Sequence, residues 1–279
     1  MEQKDPFLCD RPRPSAPPPL DIDLHSQPPP CYNEPKGERL EKLLEKYEID
    51  KLYSEKFPYL EDYDIVFLID DSGSMNSPLS ESQHATRWDE LKEVVKIVVE
   101  IATIFDDDGV DLCFLNREPI YNVKHSSNVE FLLRERPYGR TPLTEKCNDI
   151  FSKYSGKEKQ VLLVVATDGV PTNRFGHDDI KNFTNCIKTR NCDKFFISFL
   201  ACSDCDRDVE YLNKLDKKVK NVDTLDDYLS ERKEVINAQG KNFSYSLGDH
   251  TARLLLGPLC SELDSLDETK LNKNKCIIL

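Results

Sequence analysis

The chain of 279 residues lacks any apolar run near the roughly 18 residues that a helix needs to span a bilayer. Its first residues also lack a charged start followed by an apolar stretch, so we expect no secretory signal peptide. An excess of positive charge is missing as well, because the formal net charge is −13. Since phosphates repel a chain of this charge, nonspecific binding of nucleic acid is not expected.

Disulfides are a further expected absence, although ten cysteines are present. Without a secretory signal, we expect them to be reduced thiols in the cytosol. Zinc is the alternative for four cysteines, which lie within twenty residues and include a Cys-Xaa-Xaa-Cys pair. The first of the four lies on a predicted helix, and five residues separate it from the second, whereas zinc ligands are usually two to four residues apart. Both features favour free thiols. These four are Cys186, Cys192, Cys202 and Cys205.

Length and a hydrophobic content of 38% predict a single α/β domain of roughly 200 residues with appended tails. Residues 1–37 are rich in proline and are expected to be disordered. Residues 38–61 form a helical lead-in, because Leu40, Leu43, Leu44 and Tyr47 recur at helical spacing. The globular domain then covers residues 62–262, and residues 263–279 form a flexible polar tail.

Apolar strands alternate with amphipathic helices along this domain, which predicts a doubly wound, mostly parallel α/β sheet with helices on both faces. Thr86 is the expected N-cap of the first long helix. The predicted strands are Asp64–Ile69, Val110–Leu115, Ile120–Val123, Val161–Ala166 and Phe195–Leu200. The predicted helices are Trp88–Phe105, one opening at 139–143 and running toward Tyr154, Asp178–Lys188 and Asp206–Lys217.

Oxygen-bearing side chains follow two of these strands and precede one helix. Asp70, Ser72 and Ser74 come after the first strand, Thr141 precedes a helix, and Asp168 follows Val161–Ala166. Open α/β sheets bind their ligands at the carboxyl ends of the strands. Carboxylates and hydroxyls are the ligands that Mg2+, Mn2+ and Ca2+ prefer. The sequence therefore predicts a metal site at this edge.

The order and context of these motifs resemble the metal-ion-dependent adhesion site of the von Willebrand factor type A family, over about residues 62–235. The resemblance implies that Ser72, Ser74 and Thr141 supply hydroxyls, while Asp70 and Asp168 supply carboxylates directly or through water. It also implies that Asp or Glu of a partner protein completes the metal shell. The expected function is a noncatalytic, cation-dependent binding module, similar to the intracellular type A domains of the copine family. Arg140 departs from the pattern, which often has glycine there.

Two other functions stay open at this point. A strand ending in Asp70 can also position a phosphoryl nucleophile over Mg2+, as in a phosphotransferase or phosphatase. Such sites require a second aspartate two residues after the first, where this chain has Ser72. The other alternative is a scaffold with a vestigial metal site, whose proline-rich tail recruits partners.

The last four residues, Cys276-Ile277-Ile278-Leu279, match a prenylation box, and the final leucine favours a geranylgeranyl group on Cys276. One prenyl chain anchors weakly, so a second signal is needed. Lysines at positions 270, 273 and 275 supply it through attraction to anionic lipids. We therefore expect a cytoplasmic protein held peripherally on the cytosolic face of a membrane.

Overall fold

The computed structural model describes residues 34–79, 82–203, 205–264 and 266. Several predictions fall outside these ranges. They concern most of the proline-rich tail, the C-terminal lysines and the prenylation site at Cys276.

A six-stranded sheet, ordered β5-β4-β1-β6-β7-β8, is the centre of the fold. All neighbouring strands in it are parallel except β4 and β5, which pair antiparallel. A separate hairpin joins β2 to β3. The predicted α/β class with a mostly parallel sheet is confirmed. The strands are β1 (Tyr63–Ile69), β2 (Pro78–Leu79), β3 (Ser82–Thr86), β4 (Val110–Phe114), β5 (Ile120–Val123), β6 (Gln160–Thr167), β7 (Phe195–Ala201) and β8 (Val222–Leu225).

Helices cover both faces of the sheet, because alternate residues of each parallel strand point to opposite sides. In β1, Ile65, Phe67 and Ile69 enter one core cluster, whereas Val66 and Leu68 enter the other. Among the described residues, no helix is long and apolar enough to cross a membrane. The helices are α1 (Lys36–Lys46), α2 (Lys51–Ser54), α3 (Arg87–Phe105), α4 (Val129–Leu132), α5 (Leu143–Tyr154), α6 (Ile180–Thr189), α7 (Asp206–Asp216), α8 (Tyr228–Gln239), α9 (Leu247–Leu256) and α10 (Ser261–Asp264).

The lead-in segment is helical but broken. α1 ends at Lys46, and Glu48 adopts a left-handed φ of 54° that no helix continues through. Asp50 then caps α2, accepting a hydrogen bond from the backbone N of Leu52 at 2.8 Å. A 3-10 turn over Phe57–Asp62 leads directly into β1. The lead-in therefore consists of two short helices and a turn, where the leucine spacing predicted one helix.

α3 shows how local sequence places the start of a helix. Thr86 caps it as predicted, because its hydroxyl accepts a hydrogen bond from the backbone N of Asp89. The Asp89 carboxylate accepts one from the backbone N of Thr86, so a full capping box is present. The backbone N of Arg87 also donates to the carbonyl of Ser77 at 3.0 Å. This contact brings the first residue of α3 back toward the end of β1.

Candidate functional site

The carboxyl ends of β1 and β6 meet at the centre of the sheet edge. Asp70 directly follows β1 and Asp168 directly follows β6. The two strands are parallel neighbours, and the backbone N of Asp70 donates to the carbonyl of Ala166 at 2.9 Å. Because the strands end in register, the two carboxylates come together as the sequence predicted.

Asp70 is fully buried and satisfied by its neighbours. The backbone N of Ser72 donates to Oδ1 at 2.9 Å, and the Thr167 hydroxyl donates to Oδ2 at 2.6 Å. Burial raises the pKa of Asp70 to about 7, and the charge of nearby Asp168 acts in the same direction. Near neutral pH, Asp70 therefore carries only part of a negative charge.

Asp168 is held by Ser74 and by a residue that the sequence did not single out, Arg87. The Ser74 hydroxyl donates to Oδ1 of Asp168 at 2.7 Å and lies 3.1 Å from the Ser72 hydroxyl. Nη1 of Arg87 donates to Oδ2 of Asp168 at 2.8 Å, and Nη2 donates to the Ser203 hydroxyl at 3.1 Å. The guanidinium thus supplies a positive charge beside Asp168.

One signal in the sequence points to the role of Arg87. It is the first residue of α3, where the helix dipole disfavours a cation. A cation at that position implies an acidic partner elsewhere in the fold. The signal does not say which acid, because Asp168 lies 81 residues away.

Thr141 is buried but does not join this network. Its backbone N donates to the Thr172 hydroxyl at 3.1 Å, and its side chain makes no hydrogen bond to the other four predicted ligands, all of which are described. The loop before it does reach the β1 loop, because the backbone N of Gly73 donates to the carbonyl of Gly139 at 3.4 Å. The structure therefore links four of the five predicted side chains and leaves Thr141 beside them.

In this arrangement four of the predicted ligands are hydrogen-bonded to one another or to their neighbours. Each of the four carboxylate oxygens of Asp70 and Asp168 already accepts a hydrogen bond, and Arg87 already supplies the compensating charge. Among the described residues, no group of three or more His, Cys, Asp or Glu side chains can hold a metal ion. A cation bound at Oδ2 of Asp168 would compete with the Arg87 guanidinium.

The four cysteines considered for zinc are free thiols. Cys186 lies buried on α6 and donates to the side-chain oxygen of Asn148 at 3.3 Å. Burial raises its pKa to about 11, which disfavours the thiolate that zinc requires. Cys202 is also buried and points its thiol at the carbonyl of Leu200.

Asp71 anchors the loop that carries the exposed part of this edge. It is buried, and Oδ2 lies 3.1 Å from Nε of Arg117. The Arg117 guanidinium also lies within 6 Å of the ring centres of Trp88, Phe114 and Tyr138. The backbone N of Tyr138 donates to the carbonyl of Asp71 at 2.7 Å. No role was predicted for Asp71, whereas in the structure its backbone carbonyl holds the position of Tyr138.

Two aromatic and two cationic side chains form the outer surface of this edge, and we name Tyr138, Arg140, Arg174 and Phe175 the arginine–aromatic rim. Tyr138 is 58% exposed and Phe175 is 65% exposed. Nη1 of Arg140 donates to the carbonyl of Arg174 at 2.8 Å, which joins the two loops. The Arg174 guanidinium lies 4.8 Å from the centre of the Phe175 ring. Arg140, which departed from the family pattern, is thus a structural link in the rim.

A cleft of about 380 Å3 opens beside the rim, between the first turn of α5 and the loop that ends at α6. Most of the residues that line it are polar, and Pro142 and Phe175 are the apolar ones. Asp179 at its base accepts hydrogen bonds from the Thr144 hydroxyl at 2.7 Å and from the Asn182 side chain at 2.6 Å. The cleft is therefore a preformed depression that adjoins an exposed aromatic surface.

No protein-family model matches the chain, and no curated protein matches it. Similar solved structures include the PilB minor pilin from Streptococcus sanguinis, at 11% identity and a TM-score of 0.44 over 59% of this chain. The match spans 57% of that pilin. The pilus adhesin SpaC from Lactobacillus rhamnosus GG matches at 13% identity and a TM-score of 0.44, over 69% of this chain and 30% of the adhesin. Proximal thread matrix protein 1 from the mussel byssus matches at 14% identity and a TM-score of 0.43, over 71% of this chain and 48% of that protein.

These findings correct the identification made from the sequence. Membership of the von Willebrand factor type A family is contradicted, since no family model matches the chain and no group of three or more His, Cys, Asp or Glu among the described residues could hold a metal ion. The cation-dependent binding function and the metal-ion-dependent adhesion site derived from that resemblance are withdrawn with it. In the structure Arg87 forms an ion pair with Asp168, one of the two carboxylates that the resemblance assigned to the metal ion. Binding of Mg2+, Mn2+ or Ca2+ by the five side chains stays a prediction.

Proposed function

We propose that this chain is a noncatalytic protein-binding module that holds an acidic segment of a partner protein on its arginine–aromatic rim, without a metal ion. Exposure of the rim carries the proposal. Tyr138 and Phe175 are the two most exposed large hydrophobic side chains among the described residues. Tyrosine, other aromatic residues and arginine are the types that dominate binding energy at protein interfaces.

Charge supports an acidic partner. The chain carries a formal net charge of −13, yet the four rim residues include two arginines and no acid; Glu145 lines the adjoining cleft together with Arg174 and Phe175. Asp70, Asp71 and Asp168, which lie behind the rim, are buried. A partner bearing Asp or Glu therefore meets guanidinium groups here. Arginine binds carboxylates through two parallel hydrogen bonds, which gives this contact direction as well as charge.

Fixed loops also support a binding role. Gly139 has a φ of 99°, and a Cβ there would lie 2.3 Å from the side-chain oxygen of Asn116, so only glycine fits. The carbonyl of Arg140 accepts a hydrogen bond from the Asn116 side chain at 2.8 Å. Together with the Asp71 anchor, these contacts hold the rim in one arrangement. Preorganisation of this kind lowers the entropic cost of binding.

Peripheral attachment to the cytosolic face of a membrane, through a prenyl group on Cys276, completes the proposal. It would present the rim to partners at that surface. Cys276 lies outside the described residues, so the lipid is tested by chemical analysis of the purified protein.

A defined peptide panel tests the proposed function. Fluorescent peptides that place Asp or Glu beside Leu or Phe are titrated against the full chain, with matched peptides that carry Asn or Gln instead. We expect acidic peptides to bind in the presence of EDTA. Phe175→Ala is expected to weaken binding about tenfold or more, because truncating a central aromatic contact typically costs at least 1 to 2 kcal/mol. Arg140→Gln should remove the preference for acidic peptides.

Tyr59→Ala is the matched control, since Tyr59 is an exposed aromatic residue on the lead-in turn, at 49% exposure. It should leave binding unchanged. The proposal fails if acidic and amide peptides bind equally, if EDTA abolishes binding, or if the control weakens binding as much as Phe175→Ala.

A further inference from the structure

The cleft beside the arginine–aromatic rim has a lining that suits a different kind of ligand from the rim. Its volume of about 380 Å3 lies within the range of pockets that hold small molecules. Such pockets are usually lined by apolar side chains, whereas Pro142 and Phe175 are the only apolar residues in this lining. A cleft of this composition therefore suits a ligand that is itself mostly polar.

Carboxylate and amide oxygens supply hydrogen-bond acceptors. Asp179 is 8% exposed, and each of its two oxygens accepts one hydrogen bond, from the Thr144 hydroxyl at 2.7 Å and from the Asn182 side chain at 2.6 Å. A carboxylate accepts about four hydrogen bonds, so Asp179 keeps unused acceptor sites. Glu145, in the first turn of α5, is exposed and forms no ion pair with any described residue.

The loop between β6 and α6 supplies donors to the same cleft, from Asn173 and Arg174. The side-chain oxygen of Asn173 accepts from the backbone N of Phe175 at 2.9 Å and of His177 at 3.1 Å, which fixes the orientation of the amide. Its Nδ2 group and the Arg174 guanidinium donate to no residue within the described ranges. The lining therefore combines unused donors with unused acceptors.

This combination disfavours a simple ion as the ligand. A phosphate or carboxylate only accepts hydrogen bonds, and it would meet the negative charges of Glu145 and Asp179. An ammonium group only donates, and it would meet the positive charge of Arg174. A hydroxyl group both donates and accepts, and it carries no charge. A small neutral molecule with several hydroxyl groups can therefore use both kinds of group in the lining.

Phe175 adds an apolar surface to the polar lining. Even with the Arg174 guanidinium 4.8 Å from its centre, this side chain is 65% exposed. The C–H groups on one face of a pyranose ring are apolar, and the negative face of an aromatic ring attracts them. The hydroxyl groups of a pyranose project mainly from its edge. One sugar ring can therefore stack on Phe175 and hydrogen-bond within the cleft.

We propose that this cleft binds a neutral pyranose sugar, stacked on Phe175 and hydrogen-bonded to Glu145, Asp179 and Asn182. The loop that carries Phe175 is held without a ligand. The backbone N of Thr172 donates to the carbonyl of Thr141 at 2.8 Å, and the backbone N of Asp179 donates to the carbonyl of Pro171 at 2.7 Å. Groups that are already in place lower the entropic cost of binding.

Titration of the isotopically labelled full chain tests the proposal. The sugars are D-glucose, D-galactose and D-mannose, each as the free sugar and as its methyl glycoside, and the readout is the backbone amide shifts of residues 142–145 and 172–182. Ethylammonium serves as a probe that only donates, and acetate as one that only accepts. Equal affinity for a sugar and its methyl glycoside assigns the end of a glycan as the ligand. Binding lost on methylation assigns a free monosaccharide.

The cleft variant combines Glu145→Ala with Asn182→Ala. Its matched control combines Asp149→Ala with Asn185→Ala, at exposed positions one turn further along α5 and α6. We expect saturable shifts with at least one sugar in the wild type and the control, and about tenfold weaker binding in the cleft variant because two hydrogen-bonding groups are lost. If thermal unfolding shows that the cleft variant is destabilised, Glu145→Ala alone decides, since it leaves both contacts of Asp179 in place.

The proposal is overturned if no sugar gives saturable shifts, if only ethylammonium or acetate does, or if the control loses as much affinity as the cleft variant. Acidic peptides provide a separate readout of the rim. Their binding should be unchanged in the cleft variant, which leaves Tyr138, Arg140, Arg174 and Phe175 in place. Failure of the sugar proposal is thus distinguishable from failure of the proposed function.

Discussion

Substituting Arg87 by glutamine tests the arrangement at the sheet edge most directly. The side chain of Asp168 is fully buried and that of Arg87 is 16% exposed. Breaking a fully buried ion pair by removing one partner costs about 3 to 5 kcal/mol, because the other charge is left unpaired. Water can reach Arg87 in part, so we expect a loss of about 2 to 4 kcal/mol in the free energy of unfolding. Domains with about 5 to 15 kcal/mol of stability survive this loss folded.

Urea unfolding at pH 7, followed by far-UV circular dichroism, measures the loss. The double variant Arg87→Gln with Asp168→Asn provides the internal comparison. Replacing both partners removes the buried charge together with its counter-ion, so the double variant should recover most of the stability. A loss below about 0.5 kcal/mol for Arg87→Gln would refute the role of this ion pair, since that is the range of ordinary surface substitutions.

The same variant tests the predicted Mg2+ site. Removing the guanidinium frees an oxygen of Asp168, so Mg2+ should bind the Arg87→Gln variant more tightly than the wild type. A ligand that binds only the folded state raises its stability, by about 2.7 kcal/mol at a hundredfold excess over Kd. We expect about 10 mM Mg2+ to raise the free energy of unfolding of the variant more than that of the wild type. Equal stabilisation of both proteins would show that Arg87 does not compete with a cation.

Two further predictions concern a buried histidine and the C-terminal cysteine. Burial lowers the pKa of His250 to about 3, so the unfolded chain binds a proton below pH 6.5 that the folded chain does not bind. His250 therefore makes stability fall by about 1.4 kcal/mol per pH unit as the pH drops from 6.5 toward 3. Urea unfolding from pH 6.5 to 4.5 should show a shallower dependence in His250→Gln and an unchanged one in the exposed control His177→Gln; equal slopes contradict it. The intact mass of the full chain from eukaryotic cells should include a geranylgeranyl group, absent in Cys276→Ser, and an unmodified wild type contradicts this prediction.

Much of the fold was predictable from hydrophobic pattern. The strands β1, β4, β6 and β7 and the helix α3 are long or strongly apolar, and the structure places each within one or two residues of its prediction. β8 was missed because two of its four residues, Asp223 and Thr224, are polar, and so short a segment resembles a loop. The order of strands explains why the central runs were easiest, since strands buried on both faces are continuously apolar.

α9 was not predicted because polar residues fill its buried positions. Asp249, His250, Thr251 and Arg253 are all buried there. Two of their partners lie outside the helix: Arg253 pairs with Glu231 on α8, and the His250 ring lies 3.3 Å from the hydroxyl of Tyr245, five residues earlier. A pattern of hydrophobicity cannot identify a helix whose buried face is held by such pairs.

The sequence was sufficient to predict that the two acids of the candidate site meet. It did not predict the cation that pairs with one of them. Asp70 and Asp168 follow two apolar strands, and strands of this kind pair at the centre of parallel sheets. Arg87 reaches Asp168 only because the β2–β3 hairpin returns the chain, so that the backbone N of Arg87 meets Ser77. The short strands of this hairpin show almost no hydrophobic periodicity. The position of the Arg87 guanidinium was therefore not predictable from the sequence.

Local charge, and not the total, decides what this protein can bind. The formal net charge of −13 argued against nonspecific binding of nucleic acid. At the sheet edge, however, Asp71 and Asp168 lie buried against Arg117 and Arg87, which removes their charge from the outer surface. The arginines that remain exposed then set the sign of the field that a partner meets. Because the Debye length is about 8 Å at physiological ionic strength, acids farther away are largely screened. A patch of two or three unpaired cations can therefore attract an anion on a chain that is acidic overall.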